Sequence, residues 1–263
     1  MVRGMYAAAA GALTAQAKTD VIANNLANVN TSGFKNTLMQ IEAATPFDLY
    51  RIQTDPGKTP GTTVPGAHVM QYVGQLGTGS LVMDTPTSFE EGSFQQTGNT
   101  LDFALGGNNG FFTIQTPQGV RYTRDGSFVR NAQGLLATQQ GDLVLGNGGA
   151  IVVPGTGKLE VGSDGTISVN GASIDKLRLT QFANLTALRP EGDNRFVNTG
   201  AARPAAATTT SVNQGFVEKS NANVVRSMVD LITAERWFDA NQKSIQAEDD
   251  MTSNVIQNVG HTH

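Results

Sequence analysis

From residue 220 to residue 259, Val224, Leu231, Phe238, Ile245, Thr252 and Val259 recur at every seventh position, the spacing of one seam position of a coiled coil. A helix from 221 to 259 would be roughly 60 Å long at about 1.5 Å per residue, far beyond the average globular helix. No small core can bury such a helix along its whole length, so it needs a long partner. The other seam position, offset by four, reads Met228, Glu235, Gln242, Asp249 and Ile256. Its polar middle does not suit a simple two-stranded coil and implies a helix that meets several neighbours.

The opposite terminus offers that partner. Met5, Leu13, Ile22, Leu26 and Val29 recur at helical intervals among alanines, so one narrow apolar stripe runs along residues 3 to 29. Asn24, Asn25 and Asn28 crowd one turn, although asparagine side chains compete for backbone hydrogen bonds and favour helices little. They read as a partner surface. Gly33 supplies the turn that ends this helix and Phe34 anchors the exit. Gly4, Gly11 and the polar seam weaken an isolated helix pair, so both ends are expected to be mobile in the monomer and to order on assembly.

Between the ends the pattern is almost entirely β. Leu101 to Leu105 and Phe111 to Thr116 read as short strands separated by Gly106-Gly107-Asn108-Asn109-Gly110. Further strands are expected near 120–123, 127–130, 135–138, 142–145, 158–161, 166–169 and 174–182. Asp125-Gly126, Asp164-Gly165 and Asn170-Gly171 lie between them, where glycine can take positive φ and close a tight turn. Pro46, Pro56, Pro60 and Pro65, with Gly57, Gly61 and Gly66, break any long period over 36 to 85, which reads as loop. Residues 200 to 212, rich in Ala and Thr, read as a second connector.

The fold class is therefore α+β: an antiparallel, all-β middle domain between N- and C-terminal helices that pair as a coiled-coil-like assembly domain. The expected division is 1–35 for the first helix, 36–85 for an extended connecting arm, 86–219 for the β domain and 220–263 for the last helix.

Composition narrows the function classes. Charged residues are only 15%, against roughly a quarter in ordinary soluble proteins, and such a weakly charged polar surface suits dense packing among copies. A net charge of −4, with no cluster of Lys and Arg among aromatics, argues against nucleic acid as a partner. The absence of cysteine removes disulfides and thiolate metal sites. No continuous apolar run reaches the roughly 18 to 20 residues needed to span a bilayer, so membrane insertion is not expected.

Specific motifs add to this reading. Ala23-Asn24-Asn25-Leu26-Ala27-Asn28-Val29-Asn30-Thr31-Ser32-Gly33-Phe34-Lys35 at one end and Gln214-Gly215-Phe216-Val217-Glu218-Lys219-Ser220-Asn221-Ala222-Asn223 at the other resemble the ends of the bacterial flagellar axial proteins of the rod and hook. The middle resembles that family in Thr97 to Leu105, in Gly110-Phe111-Phe112 and in Tyr122-Thr123-Arg124-Asp125-Gly126-Ser127-Phe128. Asn108-Asn109 departs from the compact Gly-x-Gly-Phe-Phe form associated with the family, which unsettles only the local turn. Phe47-Asp48-Leu49-Tyr50, then Gln53 and Asp55-Pro56-Gly57, look like the long connecting stretch of distal rod members.

The resemblance implies a structural subunit of the distal rod, exported by the flagellar type III apparatus without signal cleavage and polymerising helically into a torque-transmitting shaft. A proximal rod or hook subunit is the nearest alternative, and a secreted β-rich binding module is the alternative from another class. The implied partners are further copies of the chain, neighbouring rod and hook proteins, the export apparatus and an outer bushing ring. The expected assembly interface comprises Leu13, Ile22, Asn24, Asn25, Leu26, Asn28, Val29, Phe34, Val224, Met228, Leu231, Trp237, Phe238, Gln242, Ile245 and Ile256.

Nothing in the sequence supports catalysis, a cofactor or a metal. The Gly106–Gly110 stretch lacks the following helix and Lys-Ser/Thr pair of a phosphate loop. Asp125, with Arg121, Arg124 and Asp102, reads as turn and edge charges rather than an acid-base site. His68, His261 and His263 are the only imidazoles, and the last two read as an incidental tail. Trp237 and Phe238 point about 100° apart on a helix, so they cannot share a seam. Phe238 is assigned to the seam within the chain and Trp237 to contact with a neighbouring copy.

Overall fold

The computed structural model describes residues 2–53, 69–207 and 209–260. Two compact units emerge: residues 1–20, 39–85 and 230–263 form one, and residues 21–38 and 86–229 the other. Helix α1 (Val2–Ala27) and helix α2 (Val224–Gly260) each run from one unit into the other. Helix α2 starts three residues after the expected 221, because the Asn223 side chain accepts from the Arg226 backbone N–H at 3.0 Å and caps it.

In the first unit the expected loops of 36–85 give way to paired strands. β1 (Gln40–Ala43) pairs antiparallel with β4 (Ser80–Asp84), and β2 (Phe47–Gln53) with β3 (Val69–Leu76). Tyr50 faces Tyr72 across the second pair, with ring centroids 5.8 Å apart and edge to face, a stabilising cross-strand contact. Thr14 of α1 anchors the first pair, its hydroxyl lying 3.0 Å from the Ser80 hydroxyl. Pro56, Pro60, Pro65 and the glycines among them lie outside the described residues, between β2 and β3.

In the second unit the order is β5 (Phe94–Gln96), β6 (Phe103–Leu105), β7 (Gly110–Thr116), β8 (Gly119–Thr123), β9 (Val129–Arg130), β10 (Leu136–Ala137), β11 (Leu143–Gly146), β12 (Gly149–Ala150), β13 (Leu159–Val161), β14 (Thr166–Val169), β15 (Ala172–Lys176), β16 (Leu179–Phe182), β17 (Leu188–Gly192), β18 (Arg195–Asn198), β19 (Pro204–Ala206), β20 (Val212–Gln214) and β21 (Phe216–Glu218). The main sheet runs β17-β18-β8-β7-β11-β10-β9, with β16 also on β7. Strand β7 is its centre, and every residue except Gln115 is buried.

Successive side chains of a strand point to opposite faces. Phe111 accordingly enters a core with Phe89, Tyr122, Phe182 and Phe196. Phe112 enters the other, with Phe103, Phe128, Leu136, Val144 and Ile151. The Gly-Phe-Phe motif therefore holds two cores on one strand.

The run expected as one strand over 174–182 breaks at Leu177 and Arg178, where the chain leaves the three-stranded sheet β13-β14-β15 for the main sheet. Residues 200–212 contain β19, paired with β16, where a connector is expected. The Asn170-Gly171 turn has φ of 52° and 82° and joins β14 to β15 as the sequence suggests. Asp193 and Asn194 do the same for β17 and β18 with φ of 49° and 55°, the glycine there, Gly192 at φ 100°, standing before the pair rather than closing it.

Candidate assembly interface

Small residues bring the helices of the first unit together. Ala8, Gly11 and Ala15 of α1 are buried, as is Ala234 of α2. A Cβ placed on Gly11 would lie 2.6 Å from the Asn241 side-chain oxygen, and one on Gly4 would meet the Glu248 carboxylate. Numbers that rise on one helix as they fall on the other define an antiparallel pair.

The seam differs from the expected one by a residue. Leu231, Phe238, Ile245 and Thr252 are half-buried, and Ala234, Asn241 and Glu248 are shielded with them. Glu235, Gln242 and Asp249 are exposed, as are Met228 and Ile256. The offset is three rather than four because Gly4 and Gly11, lacking side chains, leave the space that the Glu248 and Asn241 side chains fill. The α1 stripe also splits: Ile22 is buried, Leu26 and Val29 are half-buried, and Leu13 is 69% exposed.

The exit of α1 belongs to the second unit and is tied down by backbone mimicry. Asn25 is buried, donating to the Thr37 carbonyl at 2.8 Å and accepting from its N–H at 2.9 Å. Asn221 does likewise near the other end, donating to the Ser88 carbonyl at 2.9 Å and accepting from the Asn36 N–H at 2.7 Å. Asn28 donates to the Asn24 carbonyl at 2.9 Å, closing the last turn, while the Asn24 side chain is exposed. Gly33, at φ 68°, lies so close to Arg124 and Asp125 that a Cβ would sit 2.6 Å from the Arg124 carbonyl carbon. Phe34 is half-buried beside it.

Three side chains with no local relation meet beneath this turn. Lys35, Arg124 and Glu218 have wholly buried side chains. Lys35 Nζ is 2.6 Å from Glu218 Oε1, and Arg124 Nη1 is 3.4 Å from Glu218 Oε2. Glu218 Oε1 also accepts from the Gly92 N–H at 2.8 Å, Lys35 donates to the Glu90 carbonyl at 2.6 Å, and the Arg124 guanidinium lies 5.2 Å over the Phe111 ring. Burial pulls both cations below their usual proton affinities, against the opposing pull of Glu218. The three residues come from three of the motifs above, and the signal missed in the sequence was that each motif carries one such charge.

A groove of about 700 Å³ opens beside the turn, lined by Asn24, Asn30, Phe34, Asp125, Gln140 and Arg195 among others. It holds no acid-base pair. Asp125 Oδ1 accepts from the Ser127 N–H and hydroxyl at 3.0 and 2.6 Å, Asp102 accepts from Asn99 at 3.0 Å, Arg121 pairs with Glu191, and Arg195 is held by Asp142 and Asp193. Burial raises the Asp125 carboxyl above the ordinary aspartate range, and the Ser127 bonds oppose that rise. A folded-state pKa above the unfolded one means that the folded chain binds the proton more tightly, so Asp125 costs stability as pH rises through that pKa. Asp125→Asn should remove a loss of melting temperature that sets in as pH rises above about 4, the ordinary aspartate value, read by differential scanning calorimetry. An unchanged pH profile would mean that other carboxylates govern it. Among the described residues no group of three His, Asp or Glu could hold a metal, and His68, His261 and His263 lie outside them.

Two long terminal helices with exposed apolar side chains, on either side of a β-rich middle, define a class of protein that packs against other chains. Residues 5–35 match the family described as flagella basal body rod protein, residues 105–169 the D1 domain of flagellar hook proteins, and residues 213–258 the C-terminal family of flagellar basal body rod proteins. The chain is 34% identical to the flagellar basal-body rod protein FlgG of Bacillus subtilis, over 97% of this chain and 98% of that one. It is 32% identical to FlgG of Buchnera aphidicola from Schizaphis graminum, over 98% and 100%. It is 30% identical to the rod protein FlgF of Caulobacter vibrioides, over 99% of both. The chain belongs to the family of flagellar basal-body rod proteins, which are structural proteins and not enzymes. No helix among the described residues is long and apolar enough to cross a membrane.

Proposed function

We propose that this rod protein is a subunit of the distal rod in the flagellar basal body, exported through the flagellar type III apparatus and added to a growing helical polymer. The observation that carries the reading is apolar surface that one copy leaves uncovered. Tyr6 and Leu13 on α1, Met228, Ile232 and Ile256 on α2, and Phe47, Tyr50, Tyr72 and Met83 on the paired strands are all exposed. Two-stranded pairs of this kind are marginal alone in water, and exposed apolar patches mark interaction surfaces. A head-to-tail contact that does not close gives an open helical tube, and many such contacts make a stiff shaft. The length of the segment from 36 to 85 and the FlgG relatives support the distal position. Neighbouring rod and hook proteins, the export apparatus and an outer bushing ring are its further partners.

Within the expected interface, Leu13, Asn24, Val224, Met228, Gln242 and Ile256 are exposed and are assigned to neighbouring copies. Ile22 and Asn25 are buried within the chain. Trp237 is half-buried and is assigned to a neighbour, as a lone tryptophan often anchors an interface. Trp237→Glu should abolish pelletable polymer while leaving the β-sheet circular dichroism intact; loss of the sheet signal would instead make it a residue of the fold.

Immunogold electron microscopy of isolated hook-basal bodies, with antibody against residues 86–219, tests the position. Label on the shaft just below the hook supports the distal rod. Label nearer the cell membrane moves the chain to the proximal rod, and no label on an accessible epitope removes it from the rod.

A further inference from the structure

Helix α2 carries two exposed apolar patches separated by a polar middle. Val225, Met228, Val229 and Ile232 lie at one end, and Met251, Val255 and Ile256 at the other. The spacing of the first patch, at positions i, i+3, i+4 and i+7, puts all four on one face. Exposed Arg236 extends that face by one more turn. The second patch is preceded instead by exposed Asp249 and Asp250.

Helix α1 has a matching stripe. Tyr6 and Leu13 are exposed and seven residues apart, and exposed Asp20 stands seven further on. Neither Asp20 nor Arg236 has an ion pair or hydrogen bond from its side chain among the described residues. Each stripe therefore reads apolar, apolar, then charge in the direction of the chain, and the charges are opposite.

Resting on the proposed polymer, we infer that the Tyr6-Leu13-Asp20 stripe of one copy docks in parallel on the Val225-Ile232 face of a second copy, with Asp20 meeting Arg236. Leu13 then lies over Met228 and Ile232, and Tyr6 covers Val225. On Met251, Val255 and Ile256 a parallel stripe would bring Asp20 beyond Gln257, Asn258, Val259 and Gly260, which offer it no cation, and a reversed one would bring it to Asp249 and Asp250, so that patch is the poorer seat. The two surfaces are different, so the contact is heterologous and leaves a fresh acceptor on every added copy. Seven residues of helix span roughly 10 Å, so the paired stripes are short and the contact is one of several that a polymer needs.

The cysteine-free sequence allows a direct test. Full-length Leu13→Cys and Met228→Cys chains are mixed under polymerising conditions, oxidised briefly, and resolved without reductant, with polymer measured separately by pelleting. A Leu13–Met228 cross-linked dimer is expected, exceeding the band from mixing Leu13→Cys with Val255→Cys. Pelleted polymer without that dimer, or with Val255 as the preferred partner, overturns the docking and leaves the polymer standing. Chains that never pellet, and show only one fixed small size by sedimentation, overturn both. As an independent check, Asp20→Arg and Arg236→Asp should each raise the critical concentration about threefold or more, and the double exchange in one chain should restore it. Failure of the double exchange to restore it overturns the Asp20–Arg236 register.

Discussion

Glu218→Gln should lower the melting temperature by roughly 10 °C, because breaking a buried ion pair costs about 3–5 kcal/mol and each kcal/mol is worth roughly 2–4 °C in a domain of this size. The glutamine preserves shape and can still accept from Gly92, but it strands the charges of Lys35 and Arg124, whose side chains are wholly buried. Such a loss is a large share of the about 5–15 kcal/mol that holds a typical protein folded. Lys35→Met should cost less, since Glu218 keeps Arg124 and the count of buried cations falls from two to one. Lys158→Ala provides the contrast: it breaks a pair whose side chains are 81% and 54% exposed and should leave the melting curve unmoved. Thermal unfolding followed by near-ultraviolet circular dichroism would read all three. A Glu218→Gln chain that melts within about 1 °C of the parent would mean that water or Glu91, whose carboxylate accepts from the Gly107 N–H at 3.1 Å, takes over the charge.

Gly126→Ala should be as damaging, and for a different reason. Gly126 is not among the positive-φ glycines, so conformational preference does not demand it. A Cβ there would overlap the Phe103 carbonyl oxygen and approach the Phe112 ring to 3.2 Å, where neither backbone nor core can yield cheaply. The expected cost is about 3 kcal/mol or more. Gly141→Ala separates the two effects, since Gly141 has φ 96° but nothing within 4 Å of the added carbon. It should cost only about 1–2 kcal/mol, the penalty of left-handed backbone. Urea unfolding of the two variants would rank them; a Gly141→Ala chain weaker than Gly126→Ala would show backbone strain outweighing the steric overlap.

The centre of the β unit was legible because its strands alternate and are punctuated by glycine turns. Expected strand 166–169 coincides with β14, and the turn at Asn170-Gly171 has the expected backbone. The paired strands of 40–84 were hidden by the dense proline and glycine between β2 and β3, which dominate any window that spans them. The break at Leu177 and Arg178 was hidden because a chain that changes sheets keeps its alternation while changing its partner. Asp193-Asn194 is less legible because the hairpin signal is Asn-Gly or Asp-Gly, and here Gly192 stands before the pair instead of closing it.

The helix seam lies one residue from the position that periodicity predicts, for a physical reason. Periodicity finds large apolar side chains, whereas the close face here is made by Gly4, Ala8, Gly11 and Ala15, which carry almost no hydrophobic signal. Leu13 is conspicuous in the sequence and exposed in the fold. The Lys35, Arg124 and Glu218 cluster could not be read locally at all, because its members stand about 90 residues or more apart and each resembles an ordinary surface charge. The resemblance had marked all three segments but gave no reason for their charges to meet.

The last strands of the β unit have a consequence in time. β20 and β21 are the partners of β6 and β5, and Glu218 is the shared counter-ion for cations at positions 35 and 124. A polypeptide that appears N-terminus first therefore holds unpaired strands and unneutralised charges until residue 218 is out, when only α2 is still to come. Closure is thus timed by chain order: the unit behaves as a clasp whose tongue is made last, and an incomplete chain has nothing with which to shut it.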